Sequence, residues 1–258
     1  MTATLIHNSW FLSYKPKSQT QLRLFCFPYA GGGAANFSRW SDYLPEIEVC
    51  PVQLPGRENR FHEQSFIQLS PLVETLAQVI YPYLDIPFAF FGHSMGALIA
   101  FELAQQLRSN YSLSPDHLFV SGRGAPQIPD REPPISQLPE SEFIEELRCF
   151  NGTPESVLQN MELMQLMLPI LRADFALCET YVYSNHKPLD CPISAFGGTE
   201  DSQVSHKALM AWQEMTNSRF ALSSFPGNHF FINSARNFVL QAIVKDLTKV
   251  RNFASSTK

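Results

Sequence analysis

Two hydrophobic rhythms alternate along the chain. The mostly apolar runs at residues 22–27 and 49–54 and the fully apolar run at 88–91 lie beside Pro or Gly and read as strands. Between them the period lengthens. Leu72, Leu76, Val79, Ile80 and Tyr83 share one helical face, and Ser70-Pro71 ahead of them reads as an N-cap followed by the first helical residue. Residues 95–108 are apolar nearly all round and predict a buried helix. A further strand is predicted over 117–122. Helical signals then dominate from Asp130 to Tyr183, entered through Pro129, Pro133 and Pro134. Phe143, Ile144, Leu147 and Phe150 form one stripe there. Met161, Met164, Leu168 and Leu171 form another, kinked or broken near Pro169. Strands return at 193–196 and 220–225. A last helix opens at Ser234 and carries Phe238, Ile243, Val244 and Leu247.

Continuous apolar strands alternating with helices predict the α/β class: a mostly parallel central sheet with helices on both faces. The helical block at about 130–183 interrupts that rhythm. It reads as a lid inserted over the sheet's carboxyl edge, inside one domain spanning 1–258.

Composition narrows the function. The 258 residues are 45% hydrophobic and 17% charged, enough for a sizeable core, with a net charge of −5. A mildly acidic chain argues against a nucleic-acid coat. The longest apolar stretch, residues 88–101, is too short for a bilayer, and residues 1–11 lack the basic and apolar regions of a secretory signal. Cys26, Cys50, Cys149, Cys178 and Cys191 are odd in number and contain no C-x-x-C pair, which fits a reducing cytoplasm. Scattered histidines offer no metal cluster.

The sharpest chemical signal is Gly92-His93-Ser94-Met95-Gly96, a G-x-S-x-G between an apolar strand and a helix. A tight strand-to-helix turn there exposes the serine hydroxyl, and the helix N-terminus favours developing negative charge. The hydroxyl needs a base, and on such elbows the order is Ser, acid, His. His229, after Phe225-Pro226-Gly227-Asn228, is the candidate base. His186 and His206 lie in polar surroundings and read as surface residues; His7, His62 and His117 stand where this order has no use for them. His93, in the elbow itself, reads as packing or a local hydrogen bond rather than a base. The acid is expected after the strand at 193–196: Asp201 is preferred and Glu200 is the rival. Asp116, Asp130, Asp174 and Asp190 read as caps or solvated charges. For the oxyanion hole, Met95 supplies one backbone N–H. The other belongs to the loop after the first strand, where Pro28 has none to give, leaving Tyr29 or, preferably, Ala30. The run Gly31-Gly32-Gly33 lacks the spacing of a phosphate loop. Met161, Met164 and Met167 suit either an adaptable acyl channel or plain helix core, and Arg57, Arg60 and Arg123 read by default as solvated charge.

These residues, taken in order, resemble the stand-alone type II thioesterases that accompany nonribosomal peptide and polyketide synthases. The likeness runs through Phe27-Pro28-Tyr29-Ala30-Gly31-Gly32, Gln53-Leu54-Pro55-Gly56-Arg57, the elbow and Ala100-Phe101-Glu102-Leu103-Ala104. It continues through Ser121-Gly122-Arg123-Gly124-Ala125-Pro126, Leu168-Pro169-Ile170-Leu171-Arg172-Ala173-Asp174 and Gly227-Asn228-His229-Phe230-Phe231. The resemblance implies an α/β-hydrolase fold with a helical lid. It implies hydrolysis of acyl groups from the phosphopantetheine thioester of acyl or peptidyl carrier protein domains, clearing stalled synthases. Ser94, Asp201 and His229 fall on the family's triad, and Met95 and Ala30 on its oxyanion donors. No cofactor is implied, since the phosphopantetheine belongs to the substrate. The family often has His where Tyr29 stands and a second Gly where Asn228 stands. Rival readings are a carboxylesterase for free esters, a chain-releasing fatty acyl thioesterase and a non-catalytic binding protein. The intact Ser, Asp and His argue against the last. No D-S-L serine of a carrier domain occurs, so a carrier must come from another chain.

Overall fold

The computed structural model describes residues 9–11, 20–129 and 133–256. Its strands are β1 (Arg23–Phe27), β2 (Glu48–Pro51), β3 (Phe88–His93), β4 (His117–Ser121), β5 (Ile193–Gly198) and β6 (Phe220–Phe225). Its helices are α1 (Leu69–Ile80), α2 (Met95–Tyr111), α3 (Glu140–Phe150), α4 (Glu155–Leu158), α5 (Met161–Glu179), α6 (His206–Met210), α7 (Phe231–Ser234) and α8 (Arg236–Ser256). The strands make one sheet in the order β2-β1-β3-β4-β5-β6, parallel throughout. The order reverses at β1, because the chain steps out to β2 and returns as β3 on the other side of β1. Sheets of this kind take ligands at the carboxyl ends of the strands beside such a reversal.

Strands β1, β3 and β4 are buried at every position because both faces of the sheet are covered. Phe25, Phe27, Phe90, Leu118, Val120 and Ile193 pack on the side of α1 and α2. Their alternates Leu24, Cys26, Ala89, Phe91, Phe119 and Phe196 pack on Val239, Leu240, Ile243 and Leu247 of α8. Between β4 and β5 the helical block builds a smaller core of its own from Ile135, Phe143, Leu147, Leu158, Met164, Leu168 and Leu171. Among the described residues no helix is long and apolar enough to cross a membrane.

Several local expectations shift. The first helix starts at Leu69, after Gln68, so Ser70 and Pro71 lie inside its first turn. Pro71 is tolerated there because first-turn N–H groups have no intrahelical acceptor. The Ser70 hydroxyl bonds Glu74 at 3.0 Å instead of capping the backbone. The second strand ends at Pro51, and Val52 instead bridges Phe11 in antiparallel sense. Pro169 does not end α5, which runs unbroken from Met161 to Glu179. In the last helix, which begins at Arg236, Phe238 is 59% and Val244 42% exposed, so the buried stripe is Val239, Leu240, Ile243 and Leu247. Asp130 and His7 lie outside the described residues.

Candidate active site

Ser94 follows directly on β3 and stands at φ +52°, ψ −114°, a conformation side chains seldom adopt. The surroundings enforce it. Its N–H donates to the Ser121 carbonyl of β4 at 2.7 Å, while its own carbonyl accepts from Ala97 at 3.0 Å as α2 begins. Gly92 and Gly96 are required by closeness. A Cβ on Gly92 would lie 2.0 Å from the Gly96 oxygen, and one on Gly96 would lie 2.1 Å from the Phe27 oxygen. The strained serine is therefore held between β1, β4 and α2 with its hydroxyl free of any capping bond.

His229 and Asp201 come from the loops after β6 and β5. His229 Nδ1 lies 2.9 Å from Asp201 Oδ2, and the carboxylate side chain is 1% exposed. Its other oxygen, Oδ1, accepts from the N–H groups of Gln203 (2.9 Å) and Val204 (3.3 Å). A buried carboxylate with both oxygens engaged is a fixed orienting group for an imidazole. The rival Glu200 lies on the same turn but is exposed, and its backbone N–H donates to the Gly227 carbonyl at 2.9 Å. The turn that presents His229 takes its positive φ at Gly227 (+122°), so Asn228 needs no glycine; its Oδ1 accepts from the Phe230 N–H at 2.9 Å.

His93 packs against His229 with ring centroids 5.2 Å apart and pairs through Nδ1 with Ser121 Oγ at 2.9 Å. Burial, and then the charge of His229, hold its imidazole well below the ordinary value. Tyr29 closes the same aromatic group, edge-on to Phe230 at 5.1 Å and to His93 at 5.8 Å.

The loop after β1 forms a turn in which the Gly32 N–H reaches the Tyr29 carbonyl at 2.9 Å and Gly31 takes φ +73°. Ala30 occupies its second position, whose N–H the turn's own bond does not use. Met95, first residue of α2, carries a first-turn N–H with no intrahelical acceptor. Ala30, Met95, Ser94, Asp201 and His229 all line one cavity of about 1410 Å³. Its far wall is the helical block, through Leu147, Phe150, Val157, Met167, Leu171 and Phe175.

Other expectations are corrected here. Asp174 is neither a cap nor a solvated charge. It is 2% exposed and paired through both oxygens with Arg57 at 2.7 Å. Arg57 is itself buried, and so is Arg60, which lies 3.9 Å over the Trp10 ring and binds Glu63. Arg123 is half-buried and lines the cavity. Of the three spaced methionines only Met167 reaches the cavity; Met164 is core and Met161 is 80% exposed. Steps of three residues turn about 300° on a helix, so two steps swing the side chain by about 120°. His186 is partly exposed beside Glu102, and His206 is exposed at the start of α6. His62 is exposed, whereas His117 is buried on Ser194 at 2.9 Å. Sequence reasoning missed Gln53, fully buried, which accepts from the Ala34 N–H and donates to the Arg57 carbonyl, both at 2.9 Å.

A family model described as a thioesterase domain matches residues 22–249. The chain is 50% identical over 244 residues to the gramicidin S biosynthesis protein GrsT of Aneurinibacillus migulanus, covering 94% of this chain and 95% of that one. It is 37% identical to the thioesterase PikA5 of Streptomyces venezuelae, over 87% of this chain and 80% of that one. Among solved structures it superposes with a TM-score of 0.84 on BorB, the type II thioesterase from the borrelidin biosynthetic cluster. That match has 36% identity and covers 92% and 96% of the two chains. A strained serine at the carboxyl edge of a parallel sheet, lining one cavity with an oriented histidine, suits an acyl-transfer enzyme, and the chain belongs to the thioesterase domain family.

Proposed function

We propose that this protein is a stand-alone editing thioesterase that removes acyl groups from the phosphopantetheine arm of carrier protein domains in a nonribosomal peptide or polyketide synthase. Ser94 is the nucleophile, His229 the base and Asp201 the orienting acid. With its Nδ1–H donating a hydrogen bond to Asp201, His229 presents Nε2 as the base for the serine hydroxyl. Ser94 attacks the thioester carbonyl, the pantetheine thiol leaves, and a water activated by His229 releases the acid. The Met95 and Ala30 N–H groups receive the tetrahedral oxyanion, where one such donor is worth about 10²–10³ in rate. The observation that carries the reading is the 2.9 Å pair between His229 and a buried Asp201, placed on the same cavity as the strained Ser94.

The helical block acts as the lid in this reading. Its apolar side chains support it as the acyl wall, while the opposite end of the cavity is bounded by strand-end loops. The enzyme works in the cytoplasm beside its synthase and needs no cofactor. A net charge of −5 provides no long-range attraction to an acidic carrier, so docking is short-range.

The test compares one acyl group on holo-carrier protein, on coenzyme A and on an aryl alcohol. The carrier-bound form is expected to have the highest kcat/KM, because carrier contacts then contribute to the transition state. Equal or better turnover of the aryl ester would make the protein a general esterase.

A further inference from the structure

Three buried side chains grip successive backbone groups of the loop after β1. Gln53 Oε1 accepts from the Ala34 N–H at 2.9 Å, Arg57 Nη1 donates to the Gly32 carbonyl at 3.0 Å, and Asp174 Oδ2 accepts from the Gly31 N–H at 2.7 Å. Gln53 and Arg57 belong to the segment after β2, whereas Asp174 stands on α5 of the helical block. The Arg57–Asp174 pair therefore serves two ends. It binds the block to the sheet domain, and it holds the Gly31 peptide in the turn whose second residue is Ala30. Glycine gives Gly31 its φ of +73° without strain, and a Cβ there would lie 2.6 Å from Leu171 Cδ2 on the same helix as Asp174. In such a turn the peptide between the second and third residues is the one free to flip. Here its N–H is captured by a carboxylate that is 2% exposed and already saturated by a guanidinium.

We propose that Arg57 and Asp174 are positioning residues for the oxyanion loop, so that the second oxyanion donor is set from α5 of the helical block. The proposal rests on the reading of Ser94, Ala30 and Met95 given above. Neither residue touches the reacting atoms. Each acts through the backbone of residues 31–32, which shares the turn with Ala30. A structural tie alone would be satisfied by any pairing that keeps α5 attached; a positioning role would not.

The test is the double variant Arg57→Met with Asp174→Leu. Apolar replacement of a buried ion pair commonly preserves the fold, so it removes the grip on the loop while leaving the interface packed. The expected result is a folded enzyme whose kcat falls about 10–10²-fold while KM stays within about twofold, as for a displaced catalytic group. Inhibition by an acyl trifluoromethyl ketone, which forms a tetrahedral adduct, should weaken by the same factor. Binding of intact acyl-pantetheine in a Ser94→Ala background should not change. Arg57→Lys, which keeps the charge and loses the fork, is read in the same way per folded molecule, so instability of the double variant cannot mask the answer. Wild-type kcat and inhibitor affinity in either folded variant, or a loss confined to KM, would overturn the proposal. An inactive wild type in the same assay would instead overturn the assignment of the nucleophile.

Discussion

His93 shows how much the surroundings of a side chain decide. It stands next to Ser94 in the elbow, yet its ring pairs with Ser121 and packs on His229. Burial holds it neutral in the folded state, with its proton affinity well below the usual value of 6.5. The unfolded chain protonates this imidazole below about pH 6.5 while the folded chain does not, so the unfolded state binds more protons there and stability rises with pH. Unfolding free energy should therefore fall as pH drops from about 6.5, by up to about 1.4 kcal/mol per unit from this group. Urea titrations of wild type and His93→Gln across that window check it. The variant should show the shallower slope, and an unchanged slope would remove His93 from the acid response.

The elbow is an agreement between elements more than a property of five residues. β3 must end where α2 begins, and the first turn of α2 must pass beneath β1 closely enough for Gly96 to face the Phe27 carbonyl. Gly96→Ala would bring a Cβ to 2.1 Å from that oxygen. Relief requires β1 and α2 to separate, a strain of about 1–3 kcal/mol or more. The expected outcome is a lowered Tm together with lost hydrolysis, because the loop carrying Ala30 leaves the end of β1 at that point. A variant with wild-type Tm and rate would show that this approach is looser than the structure has it. Such closeness was legible in the sequence as small residues two positions either side of Ser94, though which carbonyl they face was not.

The three cores differ in size. The two sheet-face cores share the central strands, whereas α3 and α4 rest on a small cluster of their own. The second half of α5 is fastened by polar ties as well. Asp174 holds Arg57 and Gly31, and Glu179 accepts from the N–H groups of Ile135 and Ser136 at 2.7 and 3.1 Å. Local opening should therefore separate these helices. In native-state hydrogen exchange, amides of α3 and α4 should exchange well before those of residues 171–179, and β3 and α2 should be slowest. Uniform exchange across the block would show that it opens as one unit, with α5 included.

Strand order in the chain, the alternation with helices, the elbow, His229 and Asp201 were readable from the residues. Each depends on local chemistry: an apolar run for a doubly covered strand, glycines for a tight turn, a Pro-Gly turn before a histidine. Asp201 was distinguishable from Glu200 only in part, since both follow the same strand; burial and a 2.9 Å contact separate them. What the residues did not disclose depends on distant partners. Asp174 and Arg57 are 117 positions apart and read singly as solvated charges, because charge predicts exposure unless a counter-ion is supplied. Gln53 stood only as a member of a family-like run, and its role was hidden, since its acceptor and donor bonds exist only once the loop after β1 folds over it. The register of α8 was likewise hidden, as Phe238 and Val239 are equally apolar and only contact with the sheet chooses between them. Covalent neighbours thus wrote the candidate catalytic groups and the layers, and the tertiary fold chose which charged and polar side chains would hold them in place.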